Sequence, residues 1–85
     1  MTPREALEIA RAAGRTGQFY VVCDHASRRH NVTRNDIARG MATATSAIHQ
    51  PDADRWRLEG GHDLDGDGLT IIVAFEDGVI VVTAF

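Results

Sequence analysis

His25, Arg28 and Arg29 are the closest grouping of side chains in this chain that could do chemistry. Asp24 is placed to cap a short helix over 24–30. His25 would then fall on its first turn, with Arg28 and Arg29 three and four residues on, so the three share one face. A helix start favours a neutral imidazole and offers unpaired N–H groups to an anion. Such an imidazole can take the proton of an RNA 2′-hydroxyl while the two guanidiniums stabilise the charge that builds on phosphorus, without a metal. The same pattern also fits a histidine that plugs the helix end and arginines that are solvated or ion-paired. Arg34 and Arg39 follow in the next helix.

Other groupings are weaker. Asp63-x-Asp65-x-Asp67-Gly68 matches the first half of a calcium loop, but its twelfth position is Ala74, where a bidentate glutamate is needed. It reads as a solvated acidic turn. His25, His30, His49 and His62 do not combine with Cys23 in zinc-ligand spacing, and no metal is expected. Cys23, at a strand end, reads as a buried and inert thiol. Trp56 belongs to the core, and Arg57, on the opposite face of its strand, is the better phosphate ligand. No cofactor is called for.

The elements that must position these groups are organised around the C-terminal stretch Leu69–Phe85. Two β-branched runs flank Glu76-Asp77-Gly78, a hairpin signal. Leu69, Ile71, Val73 and Phe75 point one way, and Ile72 and Ala74 the other. In the second run Val79 and Val81 oppose Ile80, Val82 and Ala84. Strands apolar on both faces expect a central place, with helices on at least one side. Thr83 is the hydroxyl that the hairpin offers to a cleft.

Upstream, Thr2-Pro3-Arg4-Glu5 opens a helix with a capping box. Its apolar stripe is Ala6, Leu7, Ile9, Ala10 and Ala13, and Gly14 or Gly17 ends it. Gln18–Cys23 reads as a strand. Thr33-x-x-Asp36 opens a further helix, with Ile37, Met41 and Ala44 facing the core. Ser46–His49 is ambiguous, and Arg55–Glu59 alternates as a half-exposed strand. The expected fold is α+β: two to three N-terminal helices on a small, mostly antiparallel sheet that ends in a C-terminal β-hairpin. Residues 1–85 form one domain.

The net charge of −3 is unevenly spread. Residues 1–50 hold seven arginines against four carboxylates, a balance of +3, whereas residues 51–85 hold two arginines against eight carboxylates, a balance of −6. There is no lysine, which either reflects a GC-rich genome or favours the guanidinium fork for an anionic ligand. One cysteine fits a reducing cytoplasm, and no apolar run is long enough for a membrane helix.

His25-Ala26-x-x-Arg29, Val32-Thr33-x-x-Asp36-Ile37, Asp63-x-Asp65-Gly66-x-x-Leu69 and the terminal Val-Thr-Ala-Phe, in that order and over residues 19–85, resemble a small bacterial domain family of unknown function. That family is similar to the toxins of the RelE, BrnT and MqsR groups. The resemblance implies a RelE-like fold, metal-independent RNA cleavage and a small antitoxin as partner. It implies His25 and Arg29 as site residues. Arg57 and Thr83 join them as groups on strands bordering the same cleft. RelE-type toxins are usually strongly basic and this chain is acidic, which points away from ribosome-dependent cleavage.

The resulting expectation is a ribonuclease toxin. His25, Arg29 and Thr83 are its catalytic set, Arg28 and Arg57 its phosphate clamp, and RNA and an antitoxin its partners. Two alternatives stand beside it: a non-catalytic protein-binding module, and an immunity or antitoxin-like protein whose acidic half mimics nucleic acid.

Overall fold

The computed structural model describes residues 1–22 and 32–85. His25, Arg28 and Arg29, together with Cys23, His30 and the helix expected over 24–30, lie outside the described residues. Two helices, α1 (Pro3–Thr16) and α2 (Arg34–Thr43), pack on one face of a five-stranded sheet. Its strands are β1 (Tyr20–Val21), β2 (Ser46–Gln50), β3 (Arg55–His62), β4 (Gly68–Phe75) and β5 (Val79–Ala84), in the spatial order β1-β5-β4-β3-β2. All neighbours are antiparallel except the edge pair β1 and β5. The α+β architecture with a C-terminal hairpin is thus as the sequence implies.

Both helices begin where their caps dictate. In α1, Thr2 Oγ1 accepts from Glu5 N while Glu5 Oε1 accepts from Thr2 N, and Gly17 closes the helix at φ 77°. Thr33 and Asp36 repeat the exchange at α2. Each box satisfies N–H groups that a helix start otherwise leaves open. The capping hydrogen bonds hold the Glu5 carboxyl below its ordinary pKa, and those from Thr33 and Leu64 do the same for Asp36.

The helix-facing side of the sheet is closed by Trp56, Leu58, Leu69, Ile71, Val73, Val79, Val81 and Ala84, all buried. Ile37, Met41 and Ala44 meet them from α2. Small residues bring the layers close. A Cβ on Gly14 would stand 2.6 Å from the Ala38 carbonyl oxygen, so the two helices touch there along their backbones. Gly61 lies beneath the carbonyl of Gly40 in the same way. This contact explains why α1 buries Ala6, Ala10, Ala13 and Gly14 but leaves Ile9 exposed, contrary to the stripe expected from the sequence. A larger residue on the contact face would hold the helices apart.

Two further expectations are adjusted. The strand expected over Gln18–Cys23 is only Tyr20–Val21 within the described residues, and Tyr20, Val21 and Val22 are exposed because they form the sheet's edge. Ser46–Gln50, ambiguous in sequence, is a full strand, paired with β3 from Ser46↔Glu59 to Gln50↔Arg55.

Candidate functional site

The face of the sheet away from the helices has no described element over it. Its composition follows from register. Ile48, Arg57, Ile72 and Thr83 stand in one row across β2, β3, β4 and β5. Strict alternation would place Thr83 with Val79 and Val81, facing the helices, and Ala84 with Ile80. The register instead shifts between Ile72↔Thr83 and Val73↔Val81, so Val82 is an extra residue without a partner of its own. This bulge reverses the strand's final residues. Ala84 is buried in the core and Thr83 faces the open side, in the row of Arg57. The alternation of Ala84 with Val79 and Val81 is the detail of the hairpin that the structure overturns.

Arg57 is half-buried, and its alignment is set by two neighbours on this face. Its Nε lies 3.4 Å from Glu59 Oε1, two residues along β3. Its guanidinium carbon stands 5.6 Å from the centre of the Phe85 ring. Phe85 is fixed by a reciprocal backbone pair with Thr70, at 2.8 and 2.9 Å. The side chain therefore leans over β4 toward the end of β5. Although Glu59 is close enough for an ion pair, the geometry is not that of a hydrogen bond, and the buried Nε–H has no acceptor among the described residues. Rows on adjacent strands are about 4.8 Å apart, so Arg57 and Thr83 are about 10 Å apart along the backbone, within reach of one phosphodiester through the arginine stem. Glu59, Thr70 and Phe85 complete this grouping. Glu59 shares the strand alternation of Arg57 and was legible from it, whereas Phe85 reaches the group only through the bulge.

The remaining polar groups serve the fold. Arg34 donates through Nη2 to the carbonyls of Gly17 and Phe19, at 2.8 and 2.9 Å, and stands 4.0 Å over the Phe19 ring. It lines a shallow concavity with Gly17–Val21, Asp77 and Gly78, and its Nη2 fastens α2 to the chain that leaves α1. Asp63 Oδ1 accepts from the amides of Asp65 and Asp67, both at 2.9 Å, which folds the acidic turn on itself as the solvated turn expected from its sequence. Asp36 Oδ1 accepts from Leu64 N at 3.1 Å, so the α2 cap and the acidic turn, two of the motifs quoted above, are physically joined. His49 donates from Nε2 to Asp54 at 3.0 Å and packs on Trp56 with ring centres 4.6 Å apart. His62 Nδ1 donates to the Asp63 carbonyl. Neither ring meets Arg57 or Thr83. Trp56 is buried and Met41 is core, as expected.

Among the described residues no three histidine, cysteine or carboxylate side chains are grouped to hold a metal, and no helix is long and apolar enough to cross a membrane. Of the residues singled out in the sequence, Arg57 and Thr83 share one open row, while His25, Arg28 and Arg29 lie outside the described residues. In comparisons with protein-family models, curated proteins and solved structures, the chain matches none.

Proposed function

We propose that this protein is a metal-independent ribonuclease of the toxin–antitoxin kind, with the open sheet face as its phosphate-binding surface. The observation that carries the reading is Arg57. It is a half-buried guanidinium on that face, in the row of Thr83, with a buried N–H that no described group accepts. The side chain as a whole is 39% exposed, and a phosphate oxygen is a natural acceptor for a guanidinium. In this reading His25 removes the 2′-hydroxyl proton of RNA and the 2′-oxygen attacks phosphorus. The bond to the 5′-oxygen then breaks, that oxygen takes a proton from water, and a cyclic phosphate is left. Arg28, Arg29 and Arg57 stabilise the charge on phosphorus, and Thr83 positions the phosphodiester. The chain enters the His25–Arg29 stretch from Val22, whose amide donates to Val81 O beside the bulge.

The test is cleavage of free RNA in EDTA by the purified chain. His25→Ala should lower the rate by about 10²–10⁴-fold, the usual contribution of a positioned proton-transfer group. Arg57→Ala should weaken RNA binding while the fold is kept. RNA left intact by the unaltered chain, with induced expression equally harmless for it and for His25→Ala, would end the enzyme reading.

One observation favours a second reading, a protein-binding module on the same face. Ala74 and Ile80, paired and half-buried in the neighbouring row, and Ile48, 49% exposed, add apolar surface beside Arg57 and Thr83. Co-purification with a partner that is insensitive to His25→Ala and lost in Ile80→Asp would select it.

A further inference from the structure

We infer that β2 is a self-pairing edge, through which two copies of this chain join their sheets into one. A sheet edge leaves alternate N–H and C=O groups of its last strand unpaired, and proteins ordinarily blunt such an edge with charge, proline or a bulge. On β2 none of these devices is present. Ser46-Ala47-Ile48-His49-Gln50 carries no Asp, Glu, Lys or Arg, has its proline only afterwards at Pro51, and keeps an unbroken register with β3. Among the described residues nothing pairs with its outer side.

Large apolar groups stand exposed on both sides of this edge. Ile48, 49% exposed, projects onto the open face in the row of Arg57. Ile9, 42% exposed, lies on α1, which packs beside β2 on the helix face. Gly14 marks the flank of α1 that touches α2, and Ile9 is five positions away, about 140° round the helix, on the flank turned away from α2. The edge is therefore bordered by an isoleucine above and an isoleucine below.

A second copy fits this arrangement because the strand is complementary to itself. Antiparallel pairing about a twofold axis at Ile48 sets Ser46 against the partner's Gln50, Ala47 against the partner's His49, and Ile48 against the partner's Ile48. Hydroxyl meets amide and no like charges oppose. An axis perpendicular to the sheet keeps the helices of both copies on the same side, so the two Ile9 side chains cover one side of the seam and the two Ile48 side chains the other. Such an interface is isologous and closes at two copies.

Sedimentation velocity of the full chain over a concentration series tests this. The expected result is a reversible species of twice the 9.3 kDa chain mass. Ile48→Asp and Ile9→Asp, on different elements and both checked for fold by circular dichroism, should each raise its dissociation constant at least about tenfold, about 1.4 kcal/mol. In a Cys23→Ser background, Ile48→Cys should oxidise to a covalent dimer, whereas Asp52→Cys should not. A chain that is monomeric at every concentration overturns the inference. So does a dimer indifferent to both aspartates, or a monomer whose β2 amides become protected only when a different protein is added. Cleavage of RNA plays no part in these readouts, so the ribonuclease proposal and this one fail separately.

Discussion

The helix-covered face of the sheet and its open face are made by the same strands, yet they are built to different standards. On the covered side Leu58, Ile71, Val73 and Val81 are at most 1% exposed, and Gly61 brings the sheet against the backbone of α2. On the open side Ala74 and Ile80 are half-buried and Ile48 is 49% exposed, an arginine leans on a phenylalanine, and a guanidinium N–H has no acceptor among the described residues. A fully packed face cannot change without loss, since interiors are as dense as molecular crystals. A face that is half apolar and holds an unmet donor retains the capacity to bind. Under the proposed function, the difference gives stability to one side of the sheet and recognition to the other.

That division can be broken by experiment, most strongly on the covered side. Leu58→Ala should cost about 2–5 kcal/mol in urea unfolding, the usual result of removing a buried leucine. Ile80→Ala, on the open side, should cost no more than about 1 kcal/mol. Equal losses would mean that the two faces are packed alike. Next comes Gly61→Ala, where the new methyl group meets the Gly40 carbonyl. A loss of about 1–3 kcal/mol is expected, with amide shifts in α2 by NMR, because backbone cannot yield as a side chain can.

A smaller effect belongs to Asp36→Asn, which tests the joint between the α2 cap and the acidic turn. Hydrogen bonds from Thr33 and Leu64 depress the Asp36 pKa in the folded chain, so its contribution to stability is fully present above the ordinary aspartate value of about 3.9 and is lost as pH falls through the folded value below that. The gap in thermal midpoint between the original chain and Asp36→Asn should be full at neutral pH and close in acid. A gap independent of pH would remove the charge from the explanation. The smallest change in stability is expected for Arg57→Met, within about 1 kcal/mol of the original, since the half-exposed ion pair with Glu59 is worth little. Under the ribonuclease proposal the same substitution should markedly weaken RNA binding, which separates the roles of the two faces within one variant.

Much of this architecture was legible from residue pattern alone. The two capping boxes, the Glu76-Asp77-Gly78 hairpin and the opposite orientation of Trp56 and Arg57 follow from local rules that depend on a few neighbouring residues. Ile9 did not follow those rules. Its exposure is caused by the close approach of α1 to α2 at Gly14, and a helical stripe does not reveal which of its edges a neighbour will take. The short β1 was hidden for a similar reason, since a run of Phe19, Tyr20, Val21 and Val22 looks the same at an edge as in a centre. Thr83 stands out in the sequence as the hydroxyl the hairpin offers to a cleft, although strict alternation along β5 would turn it toward the helices. Only the register of β5 against β4 brings it into line with Arg57. The grouping of Arg57 with Phe85 was beyond reach for the same reason, because it depends on a residue inserted in a strand two rows away.

A strand is read in alternating letters, and the bulge at Val82 inserts one letter shortly before the end. Deleting that single codon would restore strict alternation to β5. Because Val82 has no partner, Thr83 would stay opposite Ile72 and Ala84 opposite Ile71, so every side chain would keep its face and only the local kink and twist of the strand would be lost. A one-residue gap at this position in a related chain would thus leave the row of Arg57 and Thr83 and the buried face of β5 as they are.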